Sequence, residues 1–356
     1  MEYYDKNRVQ ELKKRKLLVF EEIHHVKFEV HRGCNISCGF CGISPHDRTA
    51  MTRETFLNTI ESLSDKFKIA YISGHGEPTL NPDLPFFIET LRSRYPKQQI
   101  NLISNMVVFR KQEVGFGYIL DLFRSGLSQM QVDLYNERSL NWFKENVRSH
   151  LDEIHGLGIK LVSCYDTNVG AFAYKGGKKR EIVYVTDNTG LNSQNSPVRK
   201  FHNWAGNLDV SKWESTTSMR ELPIERTCSE PFKYAYVFAN GDVTLCCRNG
   251  GRSLVYGNVN DTPLTDIWRG KEAQITRYLL KSQSRHMLLP CFLCNYRSFR
   301  DGLYPYWGNE FSKEDIWETL DKIHRLDKRE ILYQNLLKYK EVHHIPEHIE
   351  RLMNEQ

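Results

Sequence analysis

Cys34-Asn-Ile-Ser-Cys38-Gly-Phe-Cys41 places three cysteines within eight residues of the chain. Thiols this close in sequence can reach one metal centre only from a tight loop, and Gly33, Gly39 and Gly42 supply the backbone freedom that such a loop needs. Cysteine thiolates are the usual ligands of a four-iron cluster. Three thiolates leave one of its irons open, and an open metal position is where chemistry takes place.

A structural zinc site is the alternative for these cysteines, with His31 or His46 as the fourth ligand. Zinc sites usually combine cysteine pairs that lie far apart in the sequence. The spacing here is C-x3-C-x2-C, within a single loop. We therefore interpret the stretch as an iron–sulfur site.

Composition and charge exclude several classes of protein. The chain has 356 residues, 40% of them hydrophobic, which is enough for a sizeable core. Its N-terminus is charged and has no signal-peptide pattern, and no apolar run is long enough to span a membrane. Nine cysteines in such a chain indicate metal ligands rather than disulfides. We expect a cytoplasmic protein.

Strand-like and helix-like segments alternate from residue 26 onwards. The expected strands are Val26–Val30, Ile69–Ser73, Gln99–Ser104, Gln129–Tyr135 and Ile159–Tyr165. This alternation predicts an α/β fold with a parallel sheet, and about six units fit a partial (β/α)6 TIM-like barrel rather than a closed barrel of eight. Ligands bind at the carboxyl ends of such strands, so the active site should lie there.

Gly74-His-Gly-Glu-Pro78 follows the second expected strand. Together with the cysteine spacing and Phe40 just before the last cysteine, it resembles the radical S-adenosylmethionine (radical SAM) enzymes. The resemblance implies that the open iron binds the amino and carboxylate groups of S-adenosylmethionine. One electron would then cleave this cofactor to a 5′-deoxyadenosyl radical, which removes a hydrogen atom from the substrate.

The resemblance also implies the residues that bind S-adenosylmethionine. Phe40 belongs to the cysteine motif, and the glycine-rich turn would contact the methionine amino group. Ser104, Asn105 and Asp133 match positions that contact the ribose and the carboxylate, although strand ends often carry ordinary polar residues. The expected cofactor-binding set is Phe40, Gly74, His75, Gly76, Glu77, Ser104, Asn105 and Asp133.

A second group of cysteines lies towards the C-terminus. Two apolar runs, Tyr234–Ala239 and Asp242–Cys246, flank Asn240-Gly241, which predicts a hairpin with a two-residue type I′ turn. The pattern resembles the twitch domain, a shortened SPASM domain, and implies a single auxiliary 4Fe-4S cluster. Its implied ligands are Cys228, Cys246, Cys291 and Cys294, with zinc as the alternative. Cys164 and Cys247 are interpreted as core residues.

These patterns divide the chain into four expected parts. Residues 1–25 form an N-terminal helical extension, 26–220 the radical SAM partial barrel, 221–300 the auxiliary cluster domain and 301–356 a C-terminal helical segment.

The leading functional hypothesis is oxidation of a small metabolite, with the auxiliary cluster accepting one electron. The first alternative is a maturase that forms C–C or C–S bonds in a short peptide or a protein. The second is modification of a nucleotide or nucleic acid, suggested by the net charge of +5 and the basic loop Lys175–Arg180. A flavodoxin- or ferredoxin-type protein is the expected electron donor, and no membrane partner is expected. The sequence assigns no general base.

Overall fold

The computed structural model describes residues 22–38, 41–42, 47–106, 115–164, 180–185, 205, 207–208, 222–224, 228–281, 285–296, 311–326, 331–341 and 343–355. The strands are β1 His25–Phe28, β2 Ile69–Ile72, β3 Gln99–Ser104, β4 Gln129–Asp133, β5 Lys160–Cys164, β6 Glu181–Val185, β7 Tyr234–Val237, β8 Asp242–Thr244 and β9 Gly257–Asn258. The helices are α1 Arg53–Glu61, α2 Leu84–Arg94, α3 Gly117–Arg124, α4 Glu137–Ser149, α5 Leu151–Gly156, α6 Leu264–Arg269, α7 Lys271–Lys281, α8 Lys313–Ile323, α9 Ile331–Lys340 and α10 Glu347–Glu355.

The strands form one open sheet in the order β5-β6-β4-β3-β2-β1-β7-β8-β9. Among the described strands, every pairing from β5 to β7 in this order is parallel, and the β7–β8 and β8–β9 pairings are antiparallel. The predicted partial barrel is confirmed. One strand was not foreseen: β6 lies between β4 and β5, in a part of the sequence to which we had assigned no strand.

The C-terminal hairpin extends the barrel sheet, because β7 pairs in parallel with β1. The predicted turn type is wrong. Gly241 has a φ of +90°, but Asn240 is not among the residues with positive φ, and the Gly241 N–H donates to the Phe238 carbonyl at 2.9 Å. Ala239 and Asn240 are therefore the central residues of a turn that Gly241 closes, as in three-residue hairpin loops. Asn-Gly fits either loop length, so the dipeptide could not decide between them.

Aromatic rings pack the helix layer onto one face of the sheet. Phe28 on β1 contacts Phe56 on α1 at a ring-centroid distance of 5.2 Å, and Phe56 stacks on Phe87 of α2 at 4.4 Å. All three rings are fully buried. Alternation along the strands turns every second side chain to this layer and the others to the inner face of the barrel.

A second core supports the C-terminal cysteines. Helices α9 and α10 contribute Leu336 and Ile349, which pack with Leu289 and Phe292 on either side of Cys291. The described part of the 301–356 segment contains helices α8, α9 and α10, and His324 after α8 forms an antiparallel β-bridge with Leu254. In the described part of the chain, no helix is long and apolar enough to cross a membrane.

Asn81 ties together the two ends of the loop that carries Cys34, Cys38 and Cys41. Its Nδ2 donates to the carbonyl of Val30, before the loop, at 2.7 Å, and to that of Met51, after it, at 3.0 Å. Its Oδ1 accepts from the Asp83 N–H at 2.9 Å. The side chain is buried, so water cannot replace these bonds when the amide is removed.

We expect Asn81→Ala to lower the free energy of unfolding by about 1–3 kcal/mol, because the Met51 carbonyl loses its side-chain donor and the Asp83 N–H its acceptor, whereas the Val30 carbonyl keeps the Met51 N–H at 2.9 Å. Urea denaturation of the reconstituted protein measures the change. Asn354→Ala, at an exposed position of α10, is the matched control and should shift stability by less than about 0.5 kcal/mol. Equal stability of the two variants would show that the Asn81 bonds do not hold the loop ends.

Candidate active site

Two backbone segments meet at the base of the cysteine loop. Gly33 and Gly76 form a parallel β-bridge, and the Glu77 N–H donates to the Gly33 carbonyl at 3.0 Å. A Cβ on Gly76 would lie 2.2 Å from the His31 carbonyl oxygen and 2.6 Å from that of Gly33. Gly33 has a φ of +96°, in the left-handed region that favours glycine. Both glycines are therefore required for the cysteine loop to join the glycine-rich turn.

The three cysteines of the loop lie beside the ends of β3 and β4. Cys34 and Cys38 are half-buried and Cys41 is exposed. Asn105, just after β3, donates from Nδ2 to the Cys34 Sγ at 3.2 Å. Burial raises the pKa of Tyr135, after β4, and the charges of Asp133 and of all three cysteines raise it further. The structure thus brings the three thiols together at the predicted end of the sheet.

Glu77 connects the glycine-rich turn to the end of β3. Its Oε1 accepts from the hydroxyl groups of Thr79 at 2.5 Å and Ser104 at 2.8 Å, and its Oε2 accepts from the Asn105 N–H at 2.8 Å. Burial raises the pKa of this carboxyl group, and these hydrogen bonds oppose the rise. The Glu77 carboxylate therefore joins the glycine-rich turn to the end of β3. Its role in binding S-adenosylmethionine stays a prediction.

Asp133 ends β4 near the same thiols. Its Oδ1 accepts from the Gln131 Nε2 at 2.9 Å, and its Oδ2 lies 3.5 Å from the Tyr135 hydroxyl group. Burial and the charge of Glu77 raise the pKa of Asp133 to about 6. The residue lies at the mouth of the barrel, where the sequence predicted a cofactor contact. That contact also stays a prediction.

The His75 side chain is buried beneath the glycine-rich turn. Its Nδ1 lies 3.1 Å from Glu29 Oε2 and 2.9 Å from the Tyr236 hydroxyl group, which is itself 3.1 Å from the same carboxylate oxygen. Burial alone would raise the pKa of Glu29, but the hydrogen bond from His75 and the charges of His75, Arg32 and Arg252 lower it below its usual value. The carboxylate is therefore the charged centre of a buried network.

Two arginines extend this network in opposite directions. Arg32 Nη1 lies 3.6 Å from Glu29 Oε1, and Arg32 also contacts Asp47, after the cysteine loop, at 2.7 Å. Arg252, between Cys246 and Cys291 in the sequence, lies 3.8 Å from the same Oε1. Sequence reasoning missed Glu29, Tyr236 and Arg252. The available signal was a carboxylate, Glu29, between the apolar residues Phe28 and Val30 at the point where the chain enters the cysteine loop.

Some predicted residues cannot be placed. Phe40 and His46 lie outside the described residues, as does the basic loop up to Lys179. Arg180 is described, and its Nη1 donates to the Leu157 carbonyl at 3.1 Å, a contact within the fold. Cys164 is the last residue of β5.

The four C-terminal cysteines line one cavity. Cys228, Cys246, Cys291 and Cys294 contribute to its wall, together with Arg248, Arg285 and Tyr296. Arg248 stacks on the Tyr296 ring, with the guanidinium carbon 3.3 Å from the ring centroid. Cys247 is not among the lining residues, but it is half-buried and not the core residue that was expected, and Arg248 Nη1 lies 3.7 Å from its Sγ. The structure therefore gathers the four thiols and directs two cationic side chains towards them.

The residues present fit an iron–sulfur cluster in this cavity. Burial raises the pKa of Cys228 to about 11 and raises that of Cys291, and the Arg285 charge opposes both shifts. Thiols with such pKa values ionise when a metal takes the place of the proton, and nearby arginines stabilise the thiolates. Among the described residues, no three His, Cys, Asp or Glu side chains are close enough to hold a single metal ion. A four-iron cluster does not require side chains to converge on a single metal ion, since each of its thiolates binds a different iron.

We expect Gly76→Ala to remove the cluster held by Cys34, Cys38 and Cys41, because the added Cβ would displace the loop backbone. Iron per chain after anaerobic reconstitution should fall to about half, since about four irons would remain at the C-terminal site. Gly156→Ala, where an added Cβ meets nothing within 4 Å, is the matched control and should keep the full iron content. Full iron content in Gly76→Ala would contradict the close approach.

Two protein families match separate parts of the chain. Residues 28–136 match the radical SAM superfamily, and this span contains the three-cysteine loop and the glycine-rich turn. Residues 228–295 match SPASM, an iron–sulfur cluster-binding domain, and this span contains all four C-terminal cysteines. The second match favours iron–sulfur over zinc at the C-terminal site.

The chain also resembles individual proteins at low identity. The S-adenosyl-L-methionine-dependent 2-deoxy-scyllo-inosamine dehydrogenase of Niallia circulans is 24% identical over 275 residues, which are 76% of this chain and 92% of that enzyme. The crystal structure of BtrN in complex with AdoMet and 2-DOIA has a TM-score of 0.52 and 19% identity, covering 77% of this chain and 93% of that one. SuiB of Streptococcus suis, bound to the precursor peptide SuiA, has a TM-score of only 0.40 at 15% identity, covering 81% of this chain and 73% of that one.

The structural likeness to BtrN supports the assignment of the fold. The two family matches each contain one of the two groups of cysteines. The cofactors of this protein are therefore a 4Fe-4S cluster with S-adenosylmethionine in the barrel and an auxiliary iron–sulfur cluster at the C-terminal site. The chain is a radical SAM enzyme with a C-terminal SPASM-like domain.

Proposed function

We propose that this enzyme oxidises a hydroxyl group of a small polyhydroxylated metabolite, of the aminocyclitol class. The relative from Niallia circulans, which this chain matches over 92% of its length, is a 2-deoxy-scyllo-inosamine dehydrogenase. Identity of 24% supports the reaction type without fixing the substrate. The proposal therefore names a substrate class and a two-electron oxidation.

The observation that carries the proposal is the cavity lined by four thiols. A four-iron cluster that is held by Cys228, Cys246, Cys291 and Cys294 has no open iron with which to bind a substrate. Such a cluster is suited to electron transfer. An alcohol that loses a hydrogen atom must still lose one electron and one proton to become a ketone, so an enclosed electron acceptor supports dehydrogenation.

The chain's own residues divide this work. The barrel cluster and S-adenosylmethionine, when bound, supply the radical that removes the hydrogen atom, and the auxiliary cluster supplies the acceptor for the remaining electron. Cys34, Cys38 and Cys41 would hold the first cluster, and Gly76 allows their loop to lie against the glycine-rich turn. Arg248 and Arg285 place positive charge beside the auxiliary thiols, which stabilises their ionised form.

Peptide modification and nucleic-acid modification remain the alternatives. The likeness to the peptide-bound SuiB structure is too low to carry an argument for the first. We also propose a flavodoxin- or ferredoxin-type electron donor and a cytoplasmic location, where unpaired cysteines stay reduced. Product analysis separates these functions, since only dehydrogenation yields a ketone from a small alcohol.

Replacing Cys291 and Cys294 with alanine should separate cofactor cleavage from substrate oxidation. With dithionite as reductant, 5′-deoxyadenosine should still form, because the barrel cluster is intact, while the ketone product should fall by on the order of a hundredfold or more. Cys247→Ala is the matched control, because Cys247 adjoins the site without lining the cavity, and it should keep product formation. Full oxidation by the double variant would contradict an electron-accepting role.

The iron content of the protein tests whether the chain holds two clusters. The wild-type protein should hold about eight irons per chain, and Cys34→Ala, Cys38→Ala and Cys41→Ala combined should hold about four. The combined variant should also form no 5′-deoxyadenosine. Loss of all iron from this variant would show that the C-terminal site does not hold its own cluster. Iron and sulfide analysis after anaerobic reconstitution measures both values.

A further inference from the structure

The cavity lined by the four C-terminal cysteines, here called the auxiliary cavity, has a charged pair in its wall. Glu230 and Arg248 both line this cavity, as does Cys246. Arg248 Nη1 lies 3.7 Å from Glu230 Oε2, and the two side chains are only 14% and 10% exposed. Glu230 Oε1 also lies 3.9 Å from Lys233 Nζ. Because water screens such a pair only weakly, its charges act strongly on whatever occupies the cavity.

Arg248 is fixed to this site at both ends of the residue. It follows Cys246 by two residues, and its backbone N–H donates to the Cys246 Sγ at 3.4 Å. Its guanidinium carbon lies 3.3 Å from the ring centroid of Tyr296, which follows Cys294 by two residues. A planar guanidinium that stacks on a ring in this way keeps its charge in one place beside the cysteines.

The guanidinium group of Arg248 also has a donor without a partner. Nη1 lies near Glu230 and 3.7 Å from the Cys247 Sγ, whereas Nε is buried and has no hydrogen-bond partner among the described residues. A buried N–H group without a partner is costly, so such a group calls for an explanation. The sulfur atoms of an iron–sulfur cluster accept hydrogen bonds, so this donor fits the group that the four thiols would hold.

Arg285, another arginine of the cavity wall, makes a different kind of contact. Its Nη1 donates to the backbone carbonyl of Tyr296 at 3.2 Å, and the residue is 1% exposed. This bond holds the backbone beyond Cys294 and so keeps the Tyr296 ring against Arg248. The contacts therefore favour Arg248 as the residue that acts on the cluster, and Arg285 as one that supports it.

We propose that Arg248 raises the reduction potential of the auxiliary cluster, and that Glu230 limits this effect. The inference rests on the proposed electron-accepting role and names the residues that adjust it. Reduction adds a negative charge to a cluster that is already anionic, so a nearby cation favours the reduced form and a nearby carboxylate opposes it. Hydrogen bonds to the cluster sulfurs also set the potential, and those from Arg248 would add to the effect of its charge.

A higher potential would make the cluster a better electron acceptor. In the proposed oxidation, the substrate radical that remains after removal of a hydrogen atom gives one electron to the oxidised cluster and its hydroxyl proton to water, which leaves a ketone. The free energy of this transfer follows from the difference between the two reduction potentials. Arg248 would thus affect substrate oxidation through the cluster, without contact with the substrate.

A purely structural ion pair is the competing interpretation. In that case Arg248 only compensates the buried charge of Glu230. Its removal would lower the stability or the iron content of the protein, and the cluster that remained would keep its potential. The two interpretations therefore differ in a quantity that is measured on the cluster itself.

The test is the reduction potential of the auxiliary cluster, measured by EPR-monitored potentiometry on the full chain with Cys34, Cys38 and Cys41 replaced by alanine. In this background, Arg248→Met should shift the reduction equilibrium towards the oxidised form by at least about tenfold, which is about 59 mV for a one-electron couple. Arg248→Lys keeps the charge but not the planar stack, and its potential should lie between those of methionine and arginine. Glu230→Gln should raise the potential.

Arg325→Met is the matched control for the loss of a positive charge. Arg325 is 57% exposed and does not line the cavity, so its replacement should leave the potential unchanged. An unchanged potential in both Arg248→Met and Glu230→Gln would overturn the inference in favour of the structural ion pair. If Arg248→Met holds no iron, Glu230→Gln decides: a raised potential supports the inference, and an unchanged one overturns it.

The measurement also separates this inference from the proposed function. The background variant lacks the barrel cluster, so the potential is obtained without any substrate oxidation. The expected shifts, together with a wild type that oxidises no aminocyclitol, would overturn the proposed function and keep the assignment of Arg248. A background variant without iron would overturn the inference, because the chain would then hold no auxiliary cluster.

Discussion

Glu29 is fully buried, and its carboxylate is the point at which separate parts of the chain meet. It contacts His75 of the glycine-rich turn, Tyr236 of β7 and Arg252, six residues after the auxiliary ligand Cys246. Removing one partner of a buried charge pair typically costs about 3–5 kcal/mol, because the other charge is left without compensation. The network therefore makes the cofactor turn, the sheet and the C-terminal region depend on one another.

This dependence has a geometric consequence for catalysis. Arg32 lies two residues before Cys34, and its Nη2 donates at 2.9 Å to the carbonyl of Gly250, four residues after Cys246. The loop that precedes the first cluster motif is thus bonded directly to the loop that follows an auxiliary ligand. A rigid link of this kind would keep the two iron–sulfur sites at a fixed separation, which a reaction needing both of them requires.

The two faces of the sheet have different tasks. The outer face packs rings such as Phe28 against Phe56 and holds the strands in place. The inner face carries Asn101 and Gln131, whose buried amide atoms without hydrogen-bond partners among the described residues cost stability. The stability of the sheet therefore comes mainly from the helix layer.

The sequence by itself determined the iron–sulfur chemistry of the two cysteine groups and the succession of most strands along the chain. Three cysteines in one loop, and Cys291 and Cys294 in another, are close because the chain is short between them. The tertiary structure decided the partners of Glu29, since Tyr236 lies 207 residues away in sequence. It also placed β6 between β4 and β5, and it buried the Asn101 amide without a hydrogen-bond partner among the described residues. Local spacing is set by covalent connectivity, whereas burial and pairing depend on which distant strands become neighbours, and no short pattern records that choice.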